Sequence, residues 1–457
     1  MSRVPNSARR ERTRPLGFLL LLVLLFCCEE GAPAPSPPPA SAQAPEESSV
    51  EASPPPASGP ATRIVPPPPI TSFTPSLVTR LRAIRAARDN RHDNVFMKVG
   101  DSSTVSRGFL ECLSDPDEVE LDGRGTLTPT LTHFRRGRAG TRSPFRRDSL
   151  AAHEGWSARH VLSGRPSPLL RELNAIRPRF ALVMNGGNDV EGRDDYVYAT
   201  RMMRIVELLV GQGVIPVLNS IPPRTDDAEA NGWVERYNQV SWAVAAAFQI
   251  PYLDYHQVMR ALPRQGLAGD GVHPNIFIEN NRGHACRFDE EGLQYGHNAR
   301  NLLALQGLDR LRRTVVEEES APDPEAPELS GRGTVASPFE VRRLPFAQLA
   351  DTTETGSEDI DGYPGCDAEQ DEGGRELVYR LVVEEELSLR VLAVGRGDAD
   401  LDVHLLRDRP IGESCIARGD REVVSTLTAG TYYVVIDTFV DERPRAGEVL
   451  VLLAPAH

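Results

Sequence analysis

Asn94-Val-Phe-Met-Lys-Val-Gly-Asp-Ser-Ser103 is the stretch that decides the fold. Its first six residues form a short apolar run, the pattern of a strand buried on both faces of a parallel sheet. The Gly-Asp-Ser turn that follows puts a serine where such a sheet presents its carboxyl-end loops. Residues 179–184, 214–218 and 250–254 have the same apolar texture. Between and around them, residues 77–87, 196–210, 232–248 and 293–311 carry apolar side chains at helical intervals. This alternation predicts an α/β domain over 73–315, a parallel sheet covered by helices on both faces.

Two more turns after these runs carry reactive groups, Asn185-Gly-Gly-Asn-Asp189 and Gly269-Asp-Gly-Val-His-Pro274. A lone Gly-Asp-Ser is more often a turn or helix cap, and a lone Asp-x-x-His is more often structural. Together they supply a nucleophile, a base and its orienting carboxylate. Asp270 can accept from one ring nitrogen of His273 while the other nitrogen faces Ser102. The Asn188 amide can donate to the oxyanion of a tetrahedral intermediate. Gly155, in Ala152-His-Glu-Gly-Trp-Ser157, is a further candidate, because a glycine lets its backbone N–H approach without hindrance.

The set resembles the SGNH (GDSL-type) hydrolase superfamily. The matching blocks are Gly100-Asp101-Ser102, Gly155, Gly186-x-Asn188-Asp189 and Asp270-x-x-His273, within residues 75–313. The resemblance implies a three-layer α/β/α, flavodoxin-like domain. It also implies Ser102 as nucleophile, His273 as general base and then acid, and Asp270 as its partner. The oxyanion hole would combine the Ser102 and Gly155 amides with the Asn188 side chain. The sequence departs from the family pattern in a long, Arg-rich stretch over 134–147 and a cysteine-containing insertion over 275–288. Both are expected to shape the cleft, and cations near it would favour an anionic substrate if they are more than a solvated loop.

Other chemistries find little support. No Gly-x-Ser-x-Gly elbow occurs, and His153-Glu154 lacks the second histidine of a zinc-protease helix. Asp398-Ala-Asp-Leu-Asp402 has Val403 where a calcium loop needs glycine, which leaves solvation of a strand edge as its reading. The expectation is therefore an enzyme with no cofactor and no metal.

The whole chain has 457 residues and a net charge of −14 at pH 7, with no basic stripe, which argues against a nucleic-acid partner. Residues 1–28 read as an export signal: Arg9, Arg10, Arg12 and Arg14 precede an apolar run too short to span a bilayer. That run ends in Cys27-Cys28, similar to a bacterial lipoprotein signal, although the residue before either cysteine is not the small one usually found there. Lipid anchoring through Cys28 or Cys27 and free secretion are the two alternatives. Cys112 with Cys286, and Cys366 with Cys415, suit two disulfides in an oxidising compartment, with buried thiols as the other reading.

Residues 29–72 are rich in Ala, Pro and Ser and predict a disordered tether. An acidic linker over 316–337 separates the α/β region from residues 338–457, where short β-branched runs between Gly and Asp turns predict an antiparallel β-sandwich. This last region resembles the pre-peptidase C-terminal (PPC-like) sandwich in Ala399–Leu406 and Leu427–Val435. The sandwich is then an accessory that adds no catalytic residue, and whether it binds calcium or glycan is left open. The functional expectation is an exported serine esterase acting on a lipid, acylated glycan or small-molecule ester. The alternatives are an O-acyltransferase acting on a cell-surface glycan and a non-catalytic surface-binding protein.

Overall fold

Strands β1 (His92–Gly100), β2 (Pro178–Met184), β3 (Ile215–Asn219) and β4 (Tyr252–Leu253) form a parallel sheet in that spatial order. Val95, Phe96, Met97, Val99 and all of β2 are buried, so no polar–apolar alternation marks them in the sequence. The computed structural model describes residues 59–368 and 370–456. The expected signal, Cys27, Cys28 and most of the expected tether lie outside the described residues. No helix among the described residues is long and apolar enough to cross a membrane.

The sheet has a fifth position that is barely a strand. Gly100 N–H donates to Ala151 C=O, and His153 N–H donates to Gly100 C=O, a single parallel bridge on the far side of β1 from β2. With that bridge counted, the chain reverses its direction of progress at β1, as in flavodoxin-like sheets. A crevice opens at such a reversal, outside the carboxyl ends of the strands.

Helices α1 (Pro75–Ala86), α2 (Ser102–Val105), α3 (Thr128–Arg135), α4 (Pro168–Ile176), α5 (Asp195–Val210), α6 (Ala228–Phe248) and α7 (Gly296–Leu311) complete the layers. Helices α4, α5 and α6 make the β-to-β crossovers and share one face of the sheet. Helices α1, α3 and α7 cover the other.

The C-terminal region is a two-sheet sandwich. Its strands are β5 (Phe346–Asp351), β6 (Leu377–Val383), β7 (Leu387–Gly395), β8 (Leu401–Arg407), β9 (Cys415–Gly419), β10 (Glu422–Leu427), β11 (Gly430–Thr438) and β12 (Glu448–Pro455). One sheet has the order β5-β12-β7-β10. The other has the order β9-β8-β11-β6, with Phe339–Glu340 added in parallel at its edge.

The first sheet is buried on both sides. Val449, Val451 and Leu453 point into the sandwich core, while Leu450, Leu452 and Ala454 join Leu392 and Val394 in the core of the α/β region. Helix α6 is the main surface they meet. Charges reinforce the seam: Arg390, only 2% exposed, pairs with Asp195 and Glu422, and Arg236 pairs with the same two carboxylates.

Two expectations about connecting segments need correction. Within the expected tether, Arg63–Ile64 pairs in parallel with Arg343–Leu344, Ile70 bridges to Leu253, and Pro69 C=O accepts from Asp254 N–H. The isolated apolar residues Ile64, Val65 and Ile70 were hidden by a proline-rich average. The acidic linker also lies against the body of the protein. Asp323 accepts from Phe73 N–H and pairs with Arg310, and Glu325 accepts from the N–H and hydroxyl of Ser76. Both cysteine pairs form disulfides, Cys112–Cys286 and Cys366–Cys415, which sets aside the buried-thiol reading.

A shared core predicts shared unfolding. Leu452→Ala should cost about 2–5 kcal/mol in urea denaturation. Fluorescence from Trp156, Trp233 and Trp242, all in the α/β region, should follow the same transition as circular dichroism of the whole chain. A separate, earlier sandwich transition that leaves the tryptophan signal intact would contradict the shared core.

Candidate active site

The turn after β1 is shaped by what Gly100 lacks. A Cβ there would lie 2.3 Å from Thr104 Oγ1 and 2.4 Å from Met184 O, so only glycine lets the chain turn tightly into α2. Asp101 caps that helix, its carboxylate accepting from Ser103 N–H at 3.1 Å. Ser102, the first helical residue, lies in the wall of a cleft of about 590 Å³.

His273 reaches the same cleft from the loop that follows β4 and a short helix. Asp270 Oδ1 accepts from the N–H groups of Val272 and His273, both at 3.0 Å, and this wraps the turn around the carboxylate. Asp270 Oδ2 is 2.7 Å from His273 Nδ1, and His273 Nε2 is 2.9 Å from Ser102 Oγ. With Nδ1 protonated toward Asp270, Nε2 is free to accept the serine proton. Burial tends to raise the Asp270 pKa, but the N–H groups of His273 and Val272, with the His273 ring, bring it down to about 2. Gly271 sits at φ +71°, and Thr225 N–H donates to its carbonyl, which pins the turn to the neighbouring loop.

The other two predicted residues meet beside Ser102. Asn188 Nδ2 donates to Trp156 C=O at 3.1 Å, which uses one amide hydrogen and leaves the second. Asp189, its pKa raised by burial, accepts from Ala158 N–H at 2.9 Å. These two bonds fasten the 186–190 turn to the 155–158 segment. Gly155, at φ +72°, lines the cleft together with Asn188, Ser102 and His273. A side chain there would meet nothing within 4 Å, so the backbone conformation, rather than space, asks for glycine.

The rest of the cleft is apolar, with a polar rim. Ile221, Pro222, Val234 and Val272 form a wall, and Glu154 and Arg224 stand at the edge. Arg224 is fully engaged, donating to Asp226 through Nε and Nη2 and to Glu191 through Nη1. The expectation that the Arg-rich stretch and the 275–288 insertion shape the cleft is not met, since neither contributes a lining residue. Arg142 and Arg147 pair with Asp148 and Glu172. The insertion is tied instead to the 112–121 segment, through Cys112–Cys286 and backbone bonds at Glu120. Among the described residues, no group of three or more His, Cys, Asp or Glu side chains could hold a metal ion.

Sequence periodicity missed one set of residues that supports the site. It gives α7 an ordinary polar face, yet that face is buried against the segment carrying Ser102. His297 Nε2 is 3.2 Å from Ser106 Oγ, and Arg300 donates to Ser103 C=O at 2.6 Å. Asn301 accepts from Leu110 N–H and donates to Gly108 C=O, each at 2.8 Å. The available signal was composition: from Gly296 to Gly307, Arg300 is the one charged residue.

Residues 99–276 match the model of the GDSL-like lipase/acylhydrolase family. Among solved structures, a GDSL-like lipase from Bacteroides thetaiotaomicron aligns with 51% of this chain and 97% of its own, at 16% identity and a TM-score of 0.31. A catalytic mutant of an acetylxylan esterase from Geobacillus stearothermophilus aligns with 47% of this chain and 93% of its own, at 13% identity and a TM-score of 0.30. The pre-peptidase C-terminal domain of a collagenase from Bacillus anthracis aligns with 28% of this chain and 98% of its own, at 13% identity and a TM-score of 0.18. A comparison with curated proteins found no match.

The low Asp270 pKa has a readable consequence. Because Asp270 stays ionised until the pH falls toward about 2, its bond to His273 Nδ1 should hold in mild acid. The His273 Nδ1 proton should give a far-downfield NMR resonance that persists to about pH 4 and is absent in Asp270→Asn. Its survival in Asp270→Asn would show that another group orients the ring.

Proposed function

We propose that this chain, which carries a GDSL-like lipase/acylhydrolase domain over residues 99–276, is an exported serine esterase that works through an acyl-enzyme on Ser102. The observation that carries the reading is the unbroken line from Asp270 through His273 to Ser102 Oγ. It opens on a cleft that also holds Asn188 and Gly155.

In this mechanism Ser102 Oγ attacks the ester carbonyl while His273 Nε2 takes its proton. The ionised Asp270 stabilises the resulting imidazolium and keeps its ring in place. The negative charge on the former carbonyl oxygen is met by the N–H groups of Ser102 and Gly155 and the remaining amide hydrogen of Asn188. The intermediate collapses, the C–O bond to the alcohol breaks, and His273 returns the proton to the leaving oxygen. Water then repeats the sequence on the acyl-enzyme, with His273 again as base, and frees the acid.

The apolar wall of Ile221, Pro222, Val234 and Val272 suits an uncharged acyl or alcohol portion. Among the described residues the rim offers no free cation to an anionic one, because the Arg224 charge is already matched by Asp226 and Glu191. Export is supported by the basic and apolar N-terminal pattern and by two disulfides, which persist in oxidising compartments. Anchoring through Cys27 or Cys28 belongs to the same proposal.

Kinetics on an aryl acetate test the mechanism. Ser102→Ala should reduce hydrolysis to the buffer background, and Asn188→Ala should lower kcat by about 10²–10³ with KM little changed. Wild-type turnover in Ser102→Ala would contradict the nucleophile, and an unchanged kcat in Asn188→Ala would remove that side chain from the oxyanion hole.

A further inference from the structure

We propose that Arg300 is a positioning residue for the nucleophile, a buried cation that fixes α2 from its inner side and so sets the aim of Ser102. This rests on the reading of Ser102 as nucleophile. Arg300 is 1% exposed and forms no ion pair among the described residues. Burying a guanidinium without a carboxylate partner is costly, and arginine does not escape the cost by losing its proton at working pH. A neutral side chain would fill the same volume for less.

The contacts show what the charge does there. Arg300 Nη1 donates to Ser103 C=O at 2.6 Å, and Nη2 lies 3.4 Å from Thr104 Oγ1. Its guanidinium lies 3.7 Å from the centre of the Phe109 ring, which holds it flat. Among the described residues its Nε has no hydrogen-bond partner, so the side chain is arranged for the two α2 contacts and not for complete satisfaction of its own donors. The two peptide groups that flank Ser103 are thus both held, its N–H by the Asp101 carboxylate and its C=O by Arg300. Thr104 closes the arrangement, since its Oγ1 occupies the space a Gly100 side chain would need.

Helix α2 is a single turn, too short to hold its own shape. Its tilt decides the approach of Ser102 Oγ to His273 Nε2. A misplacement of roughly 1 Å at a reacting group costs on the order of 10²-fold in rate. Arg300 does not line the cleft, so its loss should leave substrate binding intact. The neighbouring charge agrees with this role: burial raises the Asp101 pKa to about 6, and the Arg300 charge opposes that rise.

The test compares Arg300→Met and Arg300→Lys in the full chain, with 4-nitrophenyl acetate as substrate and Ser102→Ala as control. Folded Arg300→Met should lose about 30–100-fold in kcat with KM within about twofold of wild type. Labelling of Ser102 by a fluorophosphonate should slow in proportion, and Arg300→Lys should recover a large part of both. Arg300→Met with kcat within about threefold of wild type overturns the proposal, whatever its melting temperature. If Arg300→Met does not fold, Arg300→Lys decides: a lowered kcat at wild-type KM supports the proposal, and a wild-type kcat overturns it. Activity in Ser102→Ala would instead show that the nucleophile reading is wrong, an outcome separate from an inactive Ser102→Ala beside a fully active Arg300→Met.

Discussion

Everything distinctive about this molecule depends on one contact, the 2.9 Å approach of His273 Nε2 to Ser102 Oγ, between residues 171 positions apart. No local propensity can make that contact. It exists because a parallel sheet delivers the end of every strand to the same edge. Serine arrives at the end of β1 through a turn that tolerates only glycine at position 100. Histidine arrives after β4 on a loop held to its neighbour by the Thr225–Gly271 backbone bond. Between them, the turn after β2 brings Asn188, and the single bridge at Ala152 brings Gly155. The reversal of strand order at β1 is what leaves a crevice among these four ends.

The sheet edge that holds the cleft and the sandwich are mechanically related. Helix α6 contributes Val234 to the cleft, and Asn238 on the same helix holds the backbone of Ile221 through bonds to its N–H and C=O. The outer side of α6 is covered by β5 and β12, with Leu450, Leu452 and Ala454 in the common core. The ring of Arg236, Arg390, Asp195 and Glu422 places four charges on that seam, and breaking such a partly buried set leaves a charge without its partner. The sandwich therefore acts as a backing plate for the wall of the cleft, a closer relation than that of an appendage on a linker.

The features legible in the sequence were those with a local physical signature. Strands buried on both faces read as apolar runs, as in β1 and β2, and β12 reads the same way because its two faces enter two different cores. The turns at Ser102, Asn188 and His273 were legible because reactive side chains coincided with strand ends. The cysteine pairs followed from parity within each region. What escaped was set by tertiary context. Ala152 joins the sheet by one bridge, too little to leave a strand pattern. Strand β10 is half exposed, with Val424 facing outward, and its polar residues masked it. Ile64 and Ile70 are held by backbone pairing with Leu344 and Leu253, partners that only the folded chain brings beside them. The polar face of α7 looks solvated until the segment carrying Ser102 is folded over it, and only then does Arg300 become a buried residue.

The central claim is that Ser102 carries the acyl group between the two halves of the reaction. Acid-quenching the full chain during turnover of an aryl ester, followed by peptide mass spectrometry, tests it most directly. The account predicts a gain of one acyl mass on the peptide containing Ser102, lost when the residue is alanine. Turnover with no acylated peptide, or with the acyl group on another residue, would contradict it.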